Sequence, residues 1–409
     1  MICATCPKNV ASTQPAKLQG HVNTQSESGT LRRVVWMTNV AAPYRRPVWD
    51  ALAESTELTV LLLENQARFR RGGTNRGREW AEYDAPTYEV AELPTARVSR
   101  GESSYYTALR VGFLARYRPD AVLLAGWESP AYWQALIWCK LRGVRTVGFY
   151  ESTLSTQRHR RGPIAATRRR FFKLLDRVVV PGIAARDAVL AMGVDATRID
   201  VGFNAVDVEG IAERAQAART VSPRSPDSAG HRFLYVGQLI ARKNVRGLIE
   251  AFARIASPDD SLTIAGLGDQ ENALHTDAER LNVAQRIQFT GHIPYSEIAG
   301  LFARHNTLTL ASTEEVWGLV ANEALAAGLH VVISRTAGVA ASVADMPGVH
   351  IVDTSVESLA GGMQASKDAW NGPISDPPIL AMTPRSFATV FEQALRVSDR
   401  SISADGTKY

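Results

Sequence analysis

Hydrophobic positions along this chain come in short runs separated by amphipathic stretches, and the rhythm begins only after a polar opening. Residues 1–30 are rich in Ser, Thr, Gln and Asn. They lack the apolar core of a signal peptide and read as a disordered tail. The run Val34-Val35-Trp36-Met37 suits a buried strand, and 47–54 suits a helix. Further strands are expected at 58–63, 120–125, 145–149 and 178–180, with helices at 131–141 and 184–192. Runs that are apolar at every position, rather than at alternate ones, fit parallel strands buried on both faces. A polar stretch at 217–231 then places a linker within 205–230. The pattern restarts beyond it: strands at 233–236, 262–265, 287–289, 308–310 and 330–333 alternate with helices at 245–255, 270–281, 296–305 and 320–327. A closing helix is expected at 386–397. Alternating strands and helices in two blocks predict an α/β chain of two Rossmann-like, doubly wound domains with parallel sheets. Their expected bounds are 31–205, joined by the C-terminal helix 384–400, and 206–383.

The length of 409 residues agrees with two domains. No run of ~18–20 uncharged apolar residues occurs: 121–141 is interrupted by Glu128, Gln134 and Lys140. A cytoplasmic protein is therefore expected. Cys3 and Cys6 form a lone CxxC in the tail without a second pair of ligands, and Cys139 lies in an apolar helical stretch. The net charge of +5 is too mild to imply a nucleic-acid partner. It is unevenly spread, however. Between 158 and 177 stand Arg158, His159, Arg160, Arg161, Arg168, Arg169, Arg170, Lys173 and Arg177, with Asp176 the lone acid. Phe171, Phe172, Leu174 and Leu175 are interleaved with them. Two readings stay open: peripheral contact with an anionic inner leaflet, or a solvated basic face over a core strip.

Ligands of open α/β sheets bind beyond the carboxyl ends of the strands, so the strand-to-helix turns hold the candidate chemistry. The most informative turn runs Ser312-Thr-Glu-Glu-Val-Trp-Gly-Leu-Val-Ala-Asn-Glu. Gly318 allows a sharp turn and close approach to a ligand. The helix starting near Leu319 offers free N–H groups and a positive dipole end to a phosphate. Glu315 and Glu323, flanking Val316 and Trp317, are acceptors suited to sugar or ribose hydroxyls. A second turn, Tyr235-Val-Gly237-Gln-Leu-Ile-Ala-Arg242-Lys243, brings two cations suited to a diphosphate. A third turn places His292 and Ile293 where main chain meets a base edge. Ile264-Ala-Gly-Leu-Gly-Asp lacks the third Gly of a dinucleotide loop, which argues against an NAD-dependent oxidoreductase.

Together these segments resemble glycosyltransferase family 4, over roughly 34–397 and most specifically over 233–338. The resemblance implies the GT-B fold and transfer of a sugar, with retained anomeric configuration, from a nucleotide-sugar donor to a glycan, lipid-linked or small-molecule acceptor. The family's pair of glutamates eight residues apart corresponds to Glu315, expected at the donor sugar, and Glu323, expected at the ribose. Lys243 matches the diphosphate lysine, and Gly318 and Leu319 would offer main-chain N–H groups. The sequence departs from the family at Gln238, where Arg is common, and at Asn39-Val-Ala-Ala-Pro-Tyr-Arg, in place of a Gly-Gly loop. It departs again at Leu124-Ala-Gly-Trp-Glu-Ser-Pro, where a His is frequent. Arg242 is a candidate for the missing charge.

No Asp-x-Asp occurs, so neither a metal nor any other cofactor is expected, and cations with a helix N-terminus would carry the leaving diphosphate. On the acceptor side, Tyr44, Arg45, Glu128 and Glu151 are weak candidates, each, taken singly, read first as loop polarity or structural pairing. The alternatives are a nucleotide-sugar epimerase on the same fold and a catalytically inactive donor-binding protein.

Overall fold

The computed structural model describes residues 32–64, 86–100, 103–110, 112–221 and 230–396. The opening tail with Cys3 and Cys6, the polar segment 222–229 and the last residues of the expected closing helix lie outside the described residues. The first domain begins with β1 (Arg32–Thr38), α1 (Arg46–Ala53) and β2 (Thr56–Leu62). Next come β3 (Glu89–Glu92), β4 (Thr95–Arg100), β5 (Ser103–Ala108), β6 (Ala121–Leu124) and α2 (Pro130–Arg142). It closes with β7 (Arg145–Phe149), α3 (Gly162–Leu174), β8 (Arg177–Pro181), α4 (Gly182–Ala191) and β9 (Ile199–Gly202). Seven strands form a parallel sheet in the order β3-β2-β1-β6-β7-β8-β9, and β4 and β5 pair as an antiparallel hairpin beside it. Its helices obey local rules: α2 starts at Pro130 and ends on Gly143 at φ 67°, an angle that favours glycine.

The second domain opens with α5 (Val208–Val221), β10 (Arg232–Val236), α6 (Val245–Ile255) and β11 (Ser261–Ala265). It continues with α7 (Glu271–Arg280), β12 (Ile287–Gly291), α8 (Tyr295–Ala303), β13 (Thr307–Leu310) and α9 (Leu319–Ala326). After these come β14 (His330–Ser334), α10 (Ala340–Val343), β15 (Val349–Val352), α11 (Val356–Ala369) and α12 (Pro384–Leu395). Six strands form a parallel sheet in the order β12-β11-β10-β13-β14-β15. The strand order reverses between β1 and β6 in one sheet and between β10 and β13 in the other. Those are the crevices where such sheets take ligands.

Apolar side chains pack on both faces of each sheet. The last helix, α12, leaves the second domain and packs on the first: Phe391 lies 4.7 Å from the Trp36 ring and 5.4 Å from Phe149. These aromatic contacts tie the two halves together through the chain's end.

Residues 208–221, expected within the linker, form α5 and pack on α8 and α9. Val208, Ile211 and Ala215 supply the buried stripe; it is short and alanine-rich, so the polar composition masked it. Strands β3, β4 and β5 were also missed. Most of their residues are exposed, so no apolar run marks them.

Candidate active site

The turn between β13 and α9 builds the site. Gly318 has φ 101°, and a Cβ there would lie 2.7 Å from Leu310 Cδ2, so position and conformation both call for glycine. No side chain caps the α9 N-terminus, and the first N–H groups of a helix have no intrahelical acceptor. Among them the Ala321 N–H already meets the Gly318 carbonyl at 2.9 Å, which leaves those of Leu319 and Val320 for an anion. Across the crevice, Lys243 ends a tight 3-10 turn that follows β10. Asn244 holds this turn, its side-chain amide donating to the carbonyls of Ala311 at 3.3 Å and Thr354 at 3.1 Å.

The structure brings Lys243 and Glu315 together. The ammonium donates to Glu315 Oε2, and both side chains are 13% exposed. The Ser312 hydroxyl also donates to Oε2, at 3.3 Å. The Glu315 backbone is fixed by an isolated bridge to Ala337 and by the Gly338 N–H at 3.2 Å. Arg242 is exposed and, among the described residues, its side chain reaches the Glu314 carbonyl at 3.4 Å, while its own carbonyl accepts from the Thr313 N–H at 2.8 Å. Gly237 forms the turn at the end of β10, its N–H bonded to the Ala265 carbonyl at 2.9 Å.

Glu323, on α9, is half-buried, and burial pushes its carboxyl up to about 8, offset in part by Arg214. At neutral pH it is mainly protonated and can donate as well as accept. Val316 sits on the rim. His292 is exposed and Ile293 packs against the core.

Trp317, a donor-side candidate, is enclosed. Its ring is 3% exposed and stands edge-on to Phe203 at 5.0 Å, so only its main chain can meet a ligand. A Cβ on Gly182, at the start of α4, would come within 2.7 Å of that ring. This turn is thus wedged against the first domain. Asn322, beside Glu323, reinforces this by donating to the Asn204 carbonyl at 2.8 Å.

Of the four first-domain candidates, Arg45 and Glu151 form a pair at 2.7 Å. Arg45 also donates to Asn204 Oδ1 at 3.0 Å and stacks over Phe149 at 4.6 Å, with Tyr44 at 5.3 Å. The guanidinium is enclosed, 5% exposed, with both terminal nitrogens engaged. Glu128 is exposed and lines a separate cavity with Trp127 and Arg168. In the basic stretch, Phe171, Phe172 and Leu175 are buried in the first-domain core, while Leu174 is 42% exposed. Arg160, Arg161, Arg169 and Arg170 are exposed. Among the described residues no helix is long and apolar enough to cross a membrane.

Asn204, Asn322, Phe203 and Gly182 were not foreseen from sequence. Their roles come from contacts between residues more than a hundred positions apart, which no local pattern encodes.

Two family models match the chain: "Glycosyltransferase Family 4" over residues 59–209 and "Glycosyl transferases group 1" over residues 224–368. The chain belongs to the family 4 glycosyltransferases. Curated relatives include glycogen synthase of Mycobacterium tuberculosis, 34% identical over 148 residues, covering 36% of each chain. D-inositol 3-phosphate glycosyltransferase 2 of Catenulispora acidiphila is 29% identical over 173 residues, 39% of this chain and 40% of that protein. The match thus spans little more than a third of these relatives' length. Anabaena Alr3699/HepE, solved with UDP, superposes with a TM-score of 0.63 at 16% identity, covering 89% of this chain and 95% of that one. Sucrose-phosphate synthase of Thermosynechococcus elongatus gives 0.59 at 16% identity, with 89% and 94% covered. The fold is GT-B.

Proposed function

We propose that this family 4 glycosyltransferase moves a sugar from a nucleoside diphosphate sugar to an acceptor hydroxyl, with retention and without a metal. The observation that carries the reading is the Lys243–Glu315 pair, poised at the β10/β13 crevice before the uncapped start of α9. On donor binding the pair opens: the ammonium turns to the diphosphate and the carboxylate accepts from sugar hydroxyls. Glu323 takes the ribose. The bond between the anomeric carbon and the β-phosphate oxygen breaks as ring cation and diphosphate anion develop. Lys243 and the N–H groups of the first α9 turn stabilise that anion in a fixed geometry. The acceptor oxygen bonds to the same face of the anomeric carbon, and its proton passes to the departing phosphate oxygen. The relatives' printed activities and the UDP bound by Alr3699/HepE support a donor of this class.

A panel of UDP-, GDP- and ADP-sugars screened by thermal shift tests the reading, because a ligand bound only to the folded state raises its melting temperature. At least one donor should stabilise the wild type and fail to stabilise Lys243→Ala. A donor that stabilises both proteins equally would remove Lys243 from the site.

A further inference from the structure

The first domain holds a cavity of about 510 Å3 that the donor site does not use. It opens where β6 and β7 end, at Trp127, Glu128 and Tyr150, on the carboxyl edge of the sheet. Arg168 of α3 forms part of its wall and is 6% exposed. Its Nη2 donates to Gln157 Oε1 at 2.7 Å and to the His159 carbonyl at 2.8 Å, and its guanidinium lies 5.6 Å from the Trp127 ring. Its Nε makes no hydrogen bond, and among the described residues no acid forms an ion pair with it. Lys243 and Arg45, two enclosed cations elsewhere, each face a carboxylate. A buried charge without a counterion is costly, so an anionic ligand is the natural complement of Arg168. The start of α3 points the same way. Ile164 and Thr167 line the cavity, and no side chain caps that N-terminus. Arg158 adds a further cation.

We propose that this cavity is the acceptor subsite and that it takes an anionic polyol. Its phosphate or carboxylate is bound by Arg168 and the α3 N-terminus, its hydroxyls by Glu128, and its carbon skeleton lies against Trp127 and Tyr150. The assignment rests on the transferase reading above and adds the chemical class of the acceptor.

Isothermal titration of the full chain with glucose 6-phosphate, glucuronate and glucose, without and with UDP, tests it. At least one charged probe should bind ten-fold or more tighter than glucose. A preference for glucose 6-phosphate identifies a phosphate ligand and a preference for glucuronate a carboxylate. Arg168→Gln should weaken that probe ten-fold or more and leave UDP affinity unchanged. Arg168 also anchors the 157–159 loop, so Ile164→Trp, which blocks the rim without touching the core, is the companion variant; it should abolish probe binding. Equal binding of glucose and both charged probes overturns the proposal. So does charged-probe binding that survives in Ile164→Trp, or loss of stability in Arg168→Gln with unaltered probe affinity. Probe binding by a wild type that binds no nucleoside diphosphate removes the transferase reading and the acceptor role with it, leaving an anion site.

Discussion

Lys243–Glu315 in the second domain and Arg45–Glu151 in the first occupy comparable places, each beyond the carboxyl edge of a parallel sheet and each enclosed. Their surroundings differ. Among the described residues, the Lys243 side chain has one hydrogen-bond partner, Glu315, and the pair stands before an open helix N-terminus. Arg45 is bound to Glu151 and Asn204 and stacked on Phe149, and Asn204 in turn is held by Asn322 of the donor helix. The first pair can exchange partners when a charged ligand arrives. The second is a strut, because every exchange would leave a buried charge or amide unpaired. Charge at a strand-to-helix turn therefore does not distinguish chemistry from scaffolding; the number of competing partners does.

The sharpest way to break this contrast is Arg45→Ala. Removing one partner of an enclosed pair should cost about 3–5 kcal/mol of stability, read by urea unfolding, with donor affinity of the remaining folded protein little changed. Lys243→Ala should do the reverse, lowering kcat/KM about 10²–10³-fold, equivalent to about 2.7–4 kcal/mol, with an unfolding midpoint near the wild type's. If Arg45→Ala instead spares stability and abolishes transfer, the two roles are interchanged.

Asn322→Ala leaves the Asn204 carbonyl without its donor and should cost about 1–3 kcal/mol. It should also weaken donor binding, because α9 loses its tie to the first domain; unchanged donor affinity would show that the tie does not position the helix.

Glu323→Gln gives the smallest effect per step and sharpens the comparison through pH. The folded carboxyl holds its proton up to about 8, against an ordinary value of 4.5. Wild-type stability should therefore fall, relative to the variant, as pH rises through that window, by about 1.4 kcal/mol per pH unit at most, and level off above it. Melting curves of both proteins from pH 5 to 9 check the sign; a gap that stays constant would show that Glu323 titrates normally.

How much was legible in the sequence follows from the range of each interaction. Glu315, Gly318 and Glu323 lie within nine consecutive residues, where strand, turn and helix are local matters, so their spacing carried the candidate site. Lys243 was reachable because its turn repeats the same strand-to-helix logic. Trp317 was a donor-side candidate from its place in the turn; that its ring wedges against Phe203 and Gly182 follows only from contacts with distant segments. Arg168 was one cation in a run of basic residues, and nothing local separated it from its exposed neighbours.

The sequence by itself determined the alternation of elements, the two-domain α/β class and the sharp turn at Gly318, because these depend on periodicity and on glycine at one backbone angle. Only the tertiary structure decided which charges face the crevice and which are locked, and that α5 packs as a helix rather than serving as a linker. It alone, among the described residues, left Arg168 without an acid at a cavity. Burial and partner count are properties of segments brought together from distant parts of the chain, and they set the cost of every charge.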